Sequence, residues 1–224
     1  MLKNQHAEIE WRDGDLPVSV RFNDPYFSMH DGLAETRYVY LGGNGLPARF
    51  APGFHIAELG FGTGLGLMVA LLAWQDSRQD GPLRFTSFEA FPMQAEDMAK
   101  ALAVFPEVSK VAPPILDAFS AGETQIETGD VIAEIILGDA RQTVPQWPHK
   151  ADAWFLDGFA PAQNPELWEE PLMQAVAAHT APRGTFATYT AAGDVRRRLQ
   201  TAGFEVVRQP GFGRKRHMST GVLA

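Results

Sequence analysis

The stretch Phe54-His55-Ile56-Ala57-Glu58-Leu59-Gly60-Phe61-Gly62-Thr63-Gly64-Leu65-Gly66 decides the fold of this chain. Its apolar first part is typical of a buried strand, its alternating glycines of a turn, and the apolar run 67–72 of a helix. This order predicts the first strand–turn–helix unit of a nucleotide-binding α/β sheet. Glycines suit such a turn because a Cβ would hold a ligand away from the backbone, and the helix offers free N–H groups at its start.

The spacing of the glycines separates the ligand classes. The dinucleotide pattern G-x-G-x-x-G fails at Leu65 and Leu67, and no Lys-Ser/Thr pair completes a P-loop. An acidic residue followed by alternating glycines resembles the first motif of S-adenosylmethionine-dependent methyltransferases, and a carboxylate suits a ligand that carries an ammonium and a sulfonium. A structural turn without a ligand is the alternative. The resemblance implies cofactor contacts from Glu58, Gly60, Gly62, Thr63 and Gly64.

Composition excludes several classes of function. The 224 residues include no cysteine, which rules out disulfides, thiolate metal sites and cysteine nucleophiles, and the six histidines form no metal-binding motif. No signal peptide or membrane-spanning apolar run is visible, so we expect a cytoplasmic protein without a bound metal.

The charge of the chain is unevenly distributed. The net charge is −8, but from Arg183 onward eight basic residues face two acidic ones, which leaves +6 there and −14 in the rest. This asymmetry favours a local phosphate-binding face on an acidic body. A solvated helix face followed by a basic turn is the alternative.

The segments around the glycine stretch predict one main domain with a small extension. Residues 7–22 alternate like a β-hairpin, and a helix is predicted from about 32 to 41. We therefore predict an N-terminal extension over residues 1–50, lying over or beside the ligand edge of the sheet, and a methyltransferase domain over residues 51–224.

The rest of the chain alternates between predicted strands and helices. Further strands are predicted at 83–89, 131–137, 151–156, 185–190, 204–208 and 217–223, and helices at 65–77, 93–105, 110–120, 140–145, 164–179 and 192–202. The pattern predicts an α/β, Rossmann-like fold with a mostly parallel seven-stranded sheet. The resemblance to class I methyltransferases implies that the last strand is antiparallel.

Three acids follow predicted strands, where open α/β sheets bind their ligands. Glu89 comes 25 residues after Gly64, which suits hydrogen bonds from ribose hydroxyls. In the methyltransferase pattern, Asp139 and the small Ala140 lie at the adenine, although Asp139 also suits a helix N-cap. Asp157 follows the fourth strand, at the sheet edge where open α/β folds carry their catalytic residues.

Several longer segments together resemble one family, the bacterial tRNA wobble-uridine methyltransferases that complete the methylaminomethyl side chain of 2-thiouridine. They cover nearly the whole chain, and the segments after Leu156 and after Pro210 are the most specific. Besides the glycine loop they are Asn23-Asp24-Pro25-Tyr26-Phe27-Ser28, Gly32-Leu33-Ala34-Glu35-Thr36-Arg37, Trp154-Phe155-Leu156-Asp157-Gly158-Phe159-Ala160-Pro161, Asn164-Pro165-Glu166-Leu167-Trp168 and Gly211-Phe212-Gly213-Arg214-Lys215-Arg216.

The resemblance implies methyl transfer to the primary amine of aminomethyl-(2-thio)uridine, with Asp157 beside the sulfonium. Asp157 would orient the amine. This role is preferred to that of a general base, because a nearby carboxylate also stabilises the protonated form of the amine. Phe159 and Pro161 would flank the target base. For Phe159, packing within the core is the alternative role. The anticodon-stem phosphates would be held by Arg214, Lys215 and Arg216, with Arg196–Arg198 as additional contacts.

Other interpretations of the sequence stay open. A small-molecule N- or O-methyltransferase and a non-catalytic cofactor-binding subunit are the two alternatives. In many members of the family this domain is fused to a flavin-dependent oxidase that prepares the amine. The sequence ends at Ala224 without such a domain, so we expect either a stand-alone enzyme served by a separate FAD-dependent oxidase or a truncated bifunctional one.

Overall fold

A computed structural model of the protein describes residues 6–28 and 31–224; residues 1–5 and 29–30, which belong to the predicted N-terminal extension, lie outside the described residues. The strands are β1 (Ile9–Arg12), β2 (Leu16–Ser19), β3 (Asp24–Pro25), β4 (His55–Leu59), β5 (Leu83–Glu89), β6 (Gln125–Glu127), β7 (Val131–Leu137), β8 (Ala151–Leu156), β9 (Thr180–Thr188), β10 (Phe204–Pro210) and β11 (His217–Leu223). The α-helices are α1 (Gly32–Thr36), α2 (Leu65–Ser77), α3 (Ala95–Leu102), α4 (Ala112–Ser120), α5 (Ala140–Thr143), α6 (Glu170–Ala178) and α7 (Gly193–Thr201).

The central sheet has the strand order β10-β11-β9-β8-β4-β5-β7-β6. Strands β4, β5, β7, β8 and β9 are parallel, and β11 lies antiparallel between β10 and β9, which confirms the predicted α/β class and its antiparallel last strand. The predicted number of seven strands is wrong, because the short β6 adds an antiparallel edge. Its three residues contain a single buried side chain, Ile126, too little for a periodic signal in the sequence.

The N-terminal segment lies over the carboxyl edge of the central sheet. The predicted hairpin is confirmed as β1 and β2, and the very short β3 adds a third strand to it. The Ala160 N–H donates to Asp24 Oδ2 at 2.7 Å, and the Ala7 N–H donates to the Pro92 carbonyl at 3.0 Å. These bonds connect the small sheet to loops that follow β8 and β5. The domain division at residue 50 stays a prediction.

Prolines explain two differences from the predicted helix bounds. The predicted helix 164–179 is a 3₁₀ turn, Pro165–Trp168, followed by α6. Pro171 has no N–H and its ring would clash with the preceding turn, so a helix that started at Pro165 would break there. Helix α4 begins at Ala112 and accommodates Pro113 and Pro114 in its first turn, where a missing N–H costs little.

Two clusters of buried apolar side chains lie on opposite faces of the sheet. Ile56 and Phe155 belong to one cluster and their neighbours Ala57 and Trp154 to the other, as alternation along a strand requires. No helix among the described residues is both long and apolar enough to cross a membrane. Within residues 6–28 and 31–224, no group of three acidic or histidine side chains is arranged to hold a metal ion.

Candidate active site

A cavity of about 1260 Å³ opens at the carboxyl ends of β4, β5 and β8 and is covered by the N-terminal segment. It brings together most of the residues that the sequence singled out. Its walls include Glu58, Gly60, Gly62, Thr63, Glu89, Asp139, Ala140, Asp157, Phe159 and Lys215. Gly64 and Pro161 do not line it, and neither do Arg214 and Arg216.

The glycine loop turns sharply enough that only glycine fits it well. Gly60, Gly62 and Gly64 have φ values of +86°, +53° and +80°, a region that other residues rarely adopt. A Cβ on Gly60 would lie 3.2 Å from the Asp157 carbonyl oxygen, and one on Gly62 would lie 3.1 Å from the Tyr26 ring. Gly64 instead supports the loop from behind, because its N–H donates to the Phe61 carbonyl at 2.8 Å and it caps α2.

Glu58 places a carboxyl group in the floor of the cavity. Only 1% of this residue is exposed, and its Oε2 accepts a hydrogen bond from the Ser87 hydroxyl at 2.7 Å. Burial raises the pKa of Glu58 well above its usual range, while the Ser87 hydrogen bond lowers it. A Cβ on Gly66 would overlap the Glu58 Oε1 atom, so the start of α2 leaves just enough room for this carboxyl. A cationic ligand would stabilise its ionised form.

Glu89 holds two loops in place from the end of β5. Its Oε2 accepts from the Gly62 N–H at 3.0 Å and its Oε1 from the Phe91 N–H at 2.7 Å. Burial still raises the pKa of Glu89, against the lowering by these backbone bonds. Each carboxylate oxygen has a second lone pair, so the predicted contact with ribose hydroxyls stays open while the side chain also fixes the glycine loop.

Asp139 combines the N-cap position with an ion pair that the sequence analysis did not predict. It caps α5 by accepting from the Arg141 N–H at 2.9 Å, and the Arg141 Nη2 atom donates to its Oδ2 at 2.6 Å. The hydrogen bond from Arg141 is the main reason why the pKa of Asp139 is lowered. Its carboxylate therefore lines the cavity with both oxygens already engaged by the Arg141 guanidinium, because the Nε atom lies 3.0 Å from each of them.

Asp157 stands at the centre of the cavity, directly after β8. Its Oδ1 accepts from the Gly158 N–H at 2.7 Å. Burial raises the pKa of Asp157 from 3.8 to about 6, and the rise is opposed first by the hydrogen bond from Tyr40, then by that from the Gly158 N–H and by the charge of Lys215. The side chain is therefore mostly ionised at neutral pH, at a cost in free energy that a cationic ligand would reduce.

Three further side chains near Asp157 were missed by the sequence analysis. Tyr189 follows β9, and its hydroxyl donates to the Gly158 carbonyl at 2.8 Å. Tyr40 is 4% exposed, and its hydroxyl lies beside the Asp157 carboxyl, whose pKa it lowers. Glu35 pairs with the Lys215 ammonium at 2.8 Å. Tyr189 could have been predicted from the sequence, because it follows the end of a strand, as Asp157 does. Tyr40 and Glu35 belong to the N-terminal segment, which precedes the central sheet in the sequence.

Phe159 is packed within an aromatic cluster at the mouth of the cavity. Its ring stacks on Phe22 at a centroid distance of 4.8 Å and meets the Tyr26 ring edge-on at 5.1 Å. Phe159 thus packs against other side chains, which is the alternative role that the sequence left open for it. The side chain also lines the cavity, so one part of the ring remains available to a ligand.

The three cations of the turn 211–216, hereafter the basic turn, do not act as one surface. Arg214 and Arg216 are exposed, and Arg214 borders a second, smaller cavity of about 340 Å³. Lys215 is half-exposed, and its ammonium turns into the main cavity toward Glu35.

Two of the three arginines of α7 contact neighbouring residues. Arg197 pairs with Asp194, and the Arg198 Nη1 atom donates to the Trp168 carbonyl at 2.8 Å. Both guanidinium groups thus have partners within the fold, so the exposed arginines of the basic turn are the better candidates for phosphate contacts.

Several known proteins resemble this chain in sequence or in structure. A family model described as S-adenosyl-L-methionine-dependent methyltransferase matches residues 106–224. The tRNA 5-methylaminomethyl-2-thiouridine biosynthesis bifunctional proteins MnmC of Chromobacterium violaceum and Pseudomonas paraeruginosa are each 43% identical to the chain, over 100% and 97% of its length. The chain spans about a third, 35%, of the length of these curated relatives. The crystal structure of MnmC2 from Aquifex aeolicus matches 99% of the chain and 72% of its own length, with 26% identity and a TM-score of 0.76.

Proposed function

Because this chain belongs to the S-adenosyl-L-methionine-dependent methyltransferases, we propose that it methylates the primary amine of 5-aminomethyl-(2-thio)uridine at the wobble position of tRNA. The relatives that match the chain over its whole length carry the name of this tRNA modification. The cavity supports the assignment, because acids surround the place where a cationic acceptor group would enter.

The residues of the glycine loop fit the cofactor. The positive φ angles of Gly60 and Gly62 leave backbone where a Cβ would obstruct a ligand, and the buried carboxyl of Glu58 suits a cationic group. Glu89 would accept from the ribose, and Asp139 and Ala140 would border the adenine. When bound, S-adenosylmethionine supplies an electrophilic methyl group on its sulfonium.

Asp157 would act on the acceptor amine. A free alkyl amine with a pKa near ~10.4 is mostly protonated at neutral pH, so it must lose a proton before it reacts. Asp157 is mostly ionised there, because its pKa of about 6 lies below neutrality. It would accept a hydrogen bond from the amine and direct the nitrogen lone pair along the axis of attack, and orientation of this kind supplies much of the rate in bimolecular reactions.

The substrate side of the cavity would be completed by aromatic and basic residues. Phe159 would contact the target base with the part of its ring that lines the cavity, and Pro161 would extend this wall. Arg214 and Arg216 are exposed and would hold phosphates of the anticodon stem-loop. The base thus enters between the aromatic cluster and the basic turn.

The acceptor amine has to come from an earlier reaction. The curated relatives are called bifunctional and are about three times as long as this chain. We propose that an FAD-dependent oxidase, in the same or a separate polypeptide, removes a carboxymethyl group and leaves the primary amine. Purified oxidase mixed with this protein and tRNA that carries the carboxymethylaminomethyl group should then yield the methylated nucleoside, and neither protein alone should.

The observation that carries the proposed function is the convergence of Asp157, the glycine loop and Lys215 of the basic turn on one cavity. The test is methyl transfer from labelled S-adenosylmethionine to tRNA, followed by mass spectrometry of the nucleosides. tRNA that carries aminomethyl-2-thiouridine should yield methylaminomethyl-2-thiouridine, and the same tRNA with an unmodified wobble uridine should take up no label. Absence of labelled nucleoside from the modified tRNA would refute the proposal.

A further inference from the structure

Lys215 differs from the other two cations of the basic turn in where its charge lies. Its Nζ atom lies 2.8 Å from Glu35 Oε1 and 4.3 Å from the centroid of the Tyr189 ring. The side chain of Glu35 is 11% exposed, so the pair lies at the inner wall of the main cavity. The chain has thus placed a primary alkyl ammonium inside the cavity.

The surroundings of this ammonium form a site for a cation. Asp157 and Glu35 supply two carboxylates, and the face of Tyr189 attracts a positive charge. The buried Tyr40 hydroxyl lies beside the Asp157 carboxyl in the same cavity. A hydroxyl that donates to a carboxylate can still accept a hydrogen bond from an amine N–H.

We infer that these four residues form the ammonium subsite for the acceptor amine, and that Lys215 occupies this subsite when no RNA is bound. The residues are Glu35, Tyr40, Asp157 and Tyr189. The inference rests on the proposed function, in which the acceptor is also a primary alkyl amine. The two ammonium groups have the same charge and number of N–H donors, so a subsite that holds one suits the other.

The basic turn lets Lys215 leave. Its residues 213–216 are exposed, as is nearly half of the Lys215 side chain, so rotation of this side chain can carry the ammonium out to solvent. Once outside, its charge would join those of Arg214 and Arg216 beside the RNA phosphates. Binding of the RNA and vacating of the subsite would therefore occur together, and free amines without RNA would have to compete with Lys215.

The test measures binding of the nucleoside 5-aminomethyluridine by calorimetry, with S-adenosylhomocysteine present so that no transfer occurs. Lys215→Ala should bind the nucleoside about fivefold more tightly than the wild type, which is the effect expected when a competing, partly exposed ion pair is removed. Adding Glu35→Gln to this variant should abolish the gain, because the amine then loses one of its carboxylates. Lys150→Ala is the matched control, since Lys150 is exposed and precedes the amino end of β8, away from the cavity.

Each outcome decides the inference separately from the proposed function. Equal or weaker binding of the nucleoside by Lys215→Ala, while the wild type methylates modified tRNA, overturns the inference and leaves the proposed function standing. The same holds if no variant binds the nucleoside while modified tRNA is methylated. If the wild type does not methylate modified tRNA at all, the proposed function fails.

Discussion

Replacing Asp157 with Asn should stabilise the protein and impair its activity. The pKa of Asp157 rises from 3.8 to about 6 on folding, chiefly by burial. At neutral pH the folded protein therefore carries a charge that costs free energy relative to the unfolded chain. A difference of about two pKa units corresponds to about 3 kcal/mol, and this is an upper limit because part of the carboxyl group faces the open cavity.

The pH dependence of this effect has a definite sign. Between pH 3.8 and about 6 the folded protein binds the Asp157 proton and the unfolded chain releases it, so wild-type stability falls as the pH rises. Above pH 6 the cost is complete, and below about pH 4 it disappears. The gain of Asp157→Asn should therefore develop between about pH 4 and pH 6. The amide oxygen keeps the hydrogen bond from the Gly158 N–H, so no other contact of the backbone needs to change.

Thermal unfolding followed by circular dichroism between pH 4 and pH 8, without cofactor, measures this gain. For a chain of this size, about 3 kcal/mol corresponds to a rise in Tm of up to about 6–12 °C. Asp139→Asn is the control of opposite sign, because Arg141 lowers the pKa of Asp139 and the variant should lose stability at neutral pH. Methyl transfer by Asp157→Asn should fall about 100-fold or more if the carboxylate acts on the amine.

Three results would contradict the expectations for Asp157. If Asp157→Asn is no more stable than the wild type at pH 7.5, the carboxyl group is not held in a poorly solvated place. If the gain is as large at pH 4 as at pH 7.5, its cause is not the charge. Unchanged turnover of modified tRNA would exclude the role of Asp157 in the reaction.

The remaining predictions concern the cofactor loop, the N-terminal segment and the RNA surface. Gly66→Ala should weaken binding of S-adenosylhomocysteine at least about tenfold in calorimetry, because the new Cβ displaces the Glu58 carboxyl; unchanged affinity would contradict a cofactor role for Glu58. Asp24→Ala should cost about 1.5–3 kcal/mol in thermal unfolding, since the Ala160 N–H loses a charged acceptor; a loss below about 0.5 kcal/mol would contradict this. Removing both exposed arginines of the basic turn should weaken tRNA binding and reduce the slope of log K against log salt by about 2; an unchanged slope would place the phosphates elsewhere.

The sequence was sufficient for the parallel strands of the sheet, for its antiparallel last strand and for the residues at its carboxyl edge. Parallel strands bring their carboxyl ends to one edge, so Glu89 and Asp157 could be assigned to one site from their positions alone. The resemblance to the wobble-uridine methyltransferases, carried by the longer motifs, is confirmed by the relatives that match the whole chain. The roles of the individual site residues stay predictions.

The orientation of charged side chains was beyond the sequence. Asp139 follows β7 and lines the cavity, yet both of its oxygens are engaged by Arg141, a contact that depends on the local turn. Lys215 was grouped with its arginine neighbours because all three are cations. Its direction depends on Glu35, which is distant in the chain and becomes its neighbour only when the N-terminal segment folds over the sheet edge. Short motifs show where chemistry resides, while side-chain partners depend on the assembled tertiary structure.

The place of the basic turn follows from the antiparallel last strand. Because β11 runs antiparallel between β10 and β9, its first residues lie at the carboxyl end of β9, where Ser219 pairs with Thr188. The basic turn immediately precedes β11 and is thereby set beside Tyr189 and the cavity. A parallel last strand would begin at the opposite edge and carry these cations away from the glycine loop. The antiparallel last strand thus also places the basic turn next to Asp157, and in the proposed function this arrangement would couple RNA binding to positioning of the amine.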